Sequence, residues 1–102
     1  MNPSQTIELE FAPTGHPLSL AMSAVGRIER QLDDSTYRLE PLVRVNGRLI
    51  SALDSDAEEA TSYTWRIHLG PIERHAWNRL CHTVFAPLRE QGLTIRSRQM
   101  AA

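Results

Sequence analysis

An α+β fold is predicted here: a mostly antiparallel sheet of about five strands with one or two helices packed on one face. Three features point to it. Residues 6–11 and 61–69 alternate polar and apolar side chains, Asn46-Gly47 separates two strand-like runs, and residues 71–91 carry a wide apolar stripe at helical spacing. A chain of 102 residues has room for one domain around one core.

Thr6–Phe11 sends Ile7, Leu9 and Phe11 inward and Glu8 and Glu10 outward, the period of a half-buried strand. The run 12–17, rich in Pro and Gly, ends it. Residues 18–32 fit a helix through Leu18, Ala21, Met22, Val25, Ile28 and Leu32, with Pro17 suited to a first helical position and Asp33-Asp34-Ser35 as a stop. The same stretch also fits two short strands turning at Gly26, and a mid-helix glycine costs about 1 kcal/mol relative to alanine. Tyr37–Val45 and Arg48–Leu53 form a hairpin, because Asn-Gly tolerates the positive φ that a two-residue turn demands. Pro41 lacks a ladder donor, so an edge or a bulge is expected at that point. An acidic loop, Asp54–Glu59, follows.

Thr61–Leu69 then alternates Tyr63, Trp65, Ile67 and Leu69 with Ser62, Thr64, Arg66 and His68, a strand with one covered side. Gly70-Pro71 opens the strongest helix, whose stripe is Ile72, Ala76, Trp77, Leu80, Cys81, Val84, Phe85 and Leu88. Pro87 removes one backbone bond and should kink this helix or split it into 71–85 and 87–91. Gly92 suits a left-handed cap, Leu93–Arg98 returns as a strand, and 100–102 fray. The order amounts to a βαββαβ split with one extra strand.

The charge pattern carries most of the functional information. All eleven cations are arginine. Residues 1–60 hold five Arg against ten Asp and Glu, whereas 61–102 hold six Arg against two Glu. A basic back half points to an anionic partner, and arginine grips phosphate or carboxylate with a bidentate fork.

Other chemistries lack their residues. His75 and His82 stand two helical turns apart, about 10.5 Å along the axis, too far to share one ion, and no zinc spacing occurs. Cys81 sits in the apolar stripe, where a thiol is a small hydrophobe rather than a nucleophile. The glycines are isolated, so there is no phosphate loop, and the acidic loop lacks the glycine of a calcium site. A non-enzymatic protein with no cofactor and no metal is expected. One cysteine, no membrane-length apolar run and no signal-like start make it cytoplasmic.

With Arg74 at zero, Asn78 falls at about 40°, Arg89 at 60°, His82 at 80°, His75 at 100° and Arg79 at 140° around an unbroken helix. Arg96 and Arg98 share one face of the last strand, and Arg66 and His68 join them if that strand pairs with 61–69. The expected nucleic-acid-binding set is therefore Arg66, Arg74, His75, Asn78, Arg79, His82, Arg89, Arg96 and Arg98. The expected partner is nucleic acid, DNA before RNA, bound by a homodimer. Against this stands a pI of 6.4, low for such a domain. The alternative is a protein-interaction module (an adaptor, inhibitor or antitoxin-like partner) using its acidic and basic halves, with Tyr63, Trp65 and Trp77 as anchors.

Overall fold

The structure is a computed structural model and describes residues 3–12, 15–32, 37–52 and 62–100. The predicted acidic loop at 54–59 and the helix stop at 33–35 lie outside the described residues. The elements run β1 (Ser4–Phe11), α1 (His16–Gln31), β2 (Tyr37–Val45), β3 (Arg48–Ser51), β4 (Ser62–Leu69), α2 (residues 74–90) and β5 (Thr94–Met100). Met100 thus ends a strand rather than a frayed tail. The five strands form one antiparallel sheet in the order β3-β2-β4-β1-β5. Without β3, this is the split βαβ arrangement of ferredoxin-like proteins.

The hydrophobic alternation sets the register. Ile7 pairs with Ile67, Leu9 with Trp65 and Phe11 with Tyr63, and Leu9 faces Ile95 across the other ladder. Ile7 and Leu9 are fully buried, each contributing about 1.5–3 kcal/mol of burial. They meet Ala21, Ala24 and Ile28 of α1 and Leu80, Val84, Phe85 and Leu88 of α2 in one core. Phe11 adds edge-to-face contacts to Trp65 at 5.1 Å and Tyr63 at 5.7 Å. The three aromatic residues expected as interface anchors, Tyr63, Trp65 and Trp77, all pack against this core.

Residues 18–32 resolve as helix. α1 begins at His16 with Pro17 in its first turn, and its buried residues Ala21, Ala24 and Ile28 recur at helical spacing. A β-carbon at Gly26 would meet only the Arg30 Nη1 atom, at 3.8 Å. Asn46 and Gly47 both take positive φ, 52° and 80°, as a two-residue hairpin turn requires. Pro41 lies in β2, which is an interior strand. Its carbonyl accepts from the Ala52 N–H at 3.1 Å, so its missing donor points toward the β3 side, just beyond the last β3 residue. The proline therefore stands at a local edge inside an interior strand.

The second helix begins at Arg74, not Pro71, and continues through Pro87 without splitting. Its turns are α-helical over Arg74–Leu80, π-helical over Cys81–Phe85 and α-helical again over Ala86–Glu90. A proline has no N–H and its ring collides with the carbonyl four residues back, here Thr83. The wider turn ahead of it, closed by the Ala86 N–H on the Cys81 carbonyl, accommodates both problems. After β4, the Ile72 N–H donates to the Pro3 carbonyl at 3.2 Å and ties the approach to α2 against the start of β1.

Gly26→Ala should stabilise the fold by about 0.5–1 kcal/mol, because the site is helical and has room for a methyl group. Thermal unfolding followed by circular dichroism should show a midpoint several degrees higher. A lower midpoint would contradict the helical placement of Gly26.

Candidate nucleic-acid interface

The helices cover the odd-numbered face of β1 and β4 and leave the even-numbered face without a helix, although Thr6, Thr64 and Leu42 on it are buried. The nine expected binding residues fall on both sides of that division. Arg74, His75, Asn78, Arg79 and His82 are all exposed on α2. Arg66, Arg96 and Arg98 lie on the opposite, helix-free side of the sheet. The single converging patch expected from the sequence is not formed.

The cause is the place of β1. The last strand pairs with β1, so the pairing with β4 that would bring Arg66 and His68 beside it does not form. Registers run Glu40–Arg66–Glu8–Arg96 across β2, β4, β1 and β5, and Arg38–His68–Thr6–Arg98 in the next row. Carboxylates alternate with guanidinium groups in the first row, and the second holds no carboxylate. Arg66 donates through Nη1 to Glu40 Oε1 at 3.2 Å, and its Nε lies 3.9 Å from Glu8 Oε1. His68 places Nδ1 3.5 Å from Thr6 Oγ1 and Nε2 3.8 Å from the same Glu40 oxygen. The longer contacts are electrostatic only, since the buried Arg66 Nε and His68 Nε2 atoms have no hydrogen-bond partner. These pairs are partly solvated and contribute roughly 0.2–1 kcal/mol each. Their larger effect is to cancel the cation a phosphate would need.

The helix-free face also lacks aromatic side chains among the described residues, because Phe11, Tyr63 and Trp65 all have the inward phase. A sheet that stacks unpaired bases needs such rings on its open side. This one presents Glu8, Glu40, Arg66 and His68 instead, with Thr6 and Thr64 buried.

On the helix layer the outcome differs. Among the described residues no ion pair reaches Arg74 or Arg79. α1 exposes Arg27 and Arg30 on the same layer, two cations that the sequence reading left out. Glu29, between them in sequence, accepts a hydrogen bond from the Tyr37 hydroxyl, which holds that phenol's pKa above its ordinary value. α1 and α2 are joined by the Gln31 side chain donating to Thr83 Oγ1 at 3.0 Å.

Arg89 leaves the predicted arc. The π turn holds one more residue than an α turn, which rotates everything after it by roughly 100° relative to an unbroken helix. Arg89 consequently turns toward the sheet edge and donates through Nη2 to the Ile95 carbonyl at 3.3 Å. There it occupies a free acceptor of edge strand β5, a position that obstructs pairing with another chain. Cys81 is half-buried, and burial raises its thiol pKa against a smaller opposing pull from Arg89.

A groove of about 390 Å³ opens where α2 starts. Gln5 and Gln99, cross-strand neighbours on the helix side of β1 and β5, form part of its wall with Arg74, Trp77 and Asn78. The sequence reading began the first strand at Thr6 and so missed Gln5. The available signal was a polar residue in the inward phase of Gln5, Ile7, Leu9 and Phe11.

No protein-family model matches this chain, and no curated protein matches it in sequence. Solved structures share its fold. The de novo designed protein Foldit4 superposes with a TM-score of 0.66 at 8% identity, over 100% of this chain and 99% of the design. A hydantoinase/carbamoylase-family amidase from Burkholderia multivorans matches 98% of this chain with a TM-score of 0.55 and 16% identity. A putative amidohydrolase/peptidase from Burkholderia cenocepacia gives 0.53 and 14%. This chain spans only 28% of each of those two enzymes. At such identities the likeness extends to the fold alone, and one fold hosts many activities.

Cys81 should alkylate slowly at neutral pH. The pH midpoint of its reaction with iodoacetamide should lie above that of an unperturbed thiol, about 8.5. A midpoint below that value would mark an activated nucleophile and overturn the inert assignment.

Proposed function

We infer that this chain is a non-enzymatic binding domain whose helix layer, centred on α2, contacts duplex nucleic acid, with DNA preferred to RNA. The observation behind this reading is the exposed row Arg74, His75, Asn78, Arg79 and His82, along which no described carboxylate pairs with an arginine. Arg74 and Arg79 serve as phosphate clamps, and Asn78 between them has the side chain that pairs with an adenine edge. Arg27 and Arg30 extend the phosphate contacts along α1. A homodimer doubles the small set of contacts that one protomer supplies. The open sheet face takes no part, because Glu8 and Glu40 repel phosphate.

A second reading rests on that open face. The ladder Glu40–Arg66–Glu8–Arg96 alternates in sign, and mixed charge suits a protein surface better than a polyanion. A protein-interaction module would use this face, whereas β5 strand addition is obstructed at Ile95 by Arg89.

Titration of a fluorescent duplex should show affinity falling steeply with salt, with a log–log slope of about −3 to −4 per protomer for about four phosphate contacts. Replacing Arg74 and Arg79 together by Ala should reduce that slope by about 2 and leave the circular dichroism spectrum unchanged. Absence of binding at low salt would reject nucleic acid as the partner and favour the protein-interaction reading. Light scattering tests the dimer; a monomer at tens of micromolar would contradict it.

A further inference from the structure

The groove at the start of α2 has the features of a ligand site. Its volume of about 390 Å³ falls in the range of roughly 300–1,000 Å³ common for small-ligand pockets. Its floor is held by the Ile72-to-Pro3 backbone bond at the mouth of β1. Gln5 is 6% exposed, yet among the described residues its side-chain amide has no hydrogen-bond partner. The amide atoms stay open to the groove rather than sealed in the core, so their donors and acceptor are available to a ligand.

Gln99, Asn78 and Arg74 beside it are exposed. The side chains of Gln99, Asn78 and Arg74 and the indole N–H of Trp77 border the groove, and none has a protein hydrogen bond among the described residues. Trp77 is braced from the core by Phe85, with ring centroids 5.9 Å apart, so its indole is held at the groove wall. Among the described residues no carboxylate lines the groove. Three amides offer paired donors and acceptors, one indole offers a flat face, and one guanidinium offers a bidentate anion clamp.

We propose that this groove binds a mononucleotide. The base lies against Trp77, its hydrogen-bonding edge meets the amides of Gln5, Gln99 and Asn78, and the phosphate rests on Arg74. A purely anionic ligand would leave the indole and the inward amides unused. A purely apolar ligand would leave all three amides unsatisfied. A base carrying a phosphate uses the whole set. The inference goes beyond duplex recognition, since Gln5 and Gln99 face the groove and not the exposed side of α2.

The test is tryptophan fluorescence titration of the intact chain with the four nucleoside 5′-monophosphates, with adenosine and inorganic phosphate as separate arms. The expected result is saturable quenching by at least one monophosphate, lost in Trp77→Phe, where Trp65 still reports the fold. Arg74→Ala should lower monophosphate affinity about tenfold, to that of the nucleoside, and Gln5→Leu should weaken both about tenfold. Gln5→Leu should leave duplex titration unchanged, which separates failure of this site from failure of duplex binding. The proposal is overturned if no monophosphate quenches at millimolar concentration or if inorganic phosphate binds as well as the nucleotides. Unchanged affinity in Gln5→Leu and Arg74→Ala, or displacement by an acetylated dipeptide at lower concentration than any nucleotide, also overturns it. The last result would assign the groove to a peptide carboxylate.

Discussion

The position of β1 between β4 and β5 is the constraint on which the remaining structure depends. Its inward residues Ile7, Leu9 and Phe11 join the core beneath both helices. A slip of one residue would expose all three and bury Glu8 and Glu10. Two fully buried side chains are worth several times what an exposed ion pair contributes. The core therefore sets the register, and the charges on the other face follow from it. Glu8 stands between Arg66 and Arg96 because Ile7 and Leu9 must face inward.

This division sorts the arginines into two populations. On the open sheet face Arg66 and Arg96 are interleaved with Glu40 and Glu8, whereas Arg38 and Arg98 in the next row, like the arginines of α2, have no carboxylate in line with them. Overall composition does not show the difference, since the near-neutral total averages over both faces. The π segment makes a further selection. By accommodating Pro87, it turns Arg89 away from the exposed row and onto the β5 backbone. One proline thus changes which cations remain available for a partner.

Most of the architecture was legible in the alternation of 6–11 and 61–69, the Asn-Gly turn and the stripe of α2. These are local signals backed by burial, and the structure keeps them. Residues 18–32 were ambiguous because Gly26 weakens a helix, and the tertiary packing of Ala21, Ala24 and Ile28 decides the matter. Strand order was not legible, because pairing between β1 and β5 joins residues some ninety positions apart and leaves no local trace. Adjacency of Arg66 and Arg96 depends on a pairing of β4 with β5 that does not occur, because β1 separates them. The groove is not legible because the alternation becomes clear only from Thr6, whereas β1 begins at Ser4 and Gln5 is already inward.

On the proposed function the helix layer, and not the open sheet, meets the anionic partner. Backbone amide shift mapping by NMR, with a short duplex titrated into labelled protein, addresses this claim directly. The account predicts perturbations concentrated at Arg74, His75, Asn78, Arg79 and His82, with the strand amides of Glu8, Arg66 and Arg96 unmoved. Perturbations centred on those strand residues, with α2 silent, would contradict it.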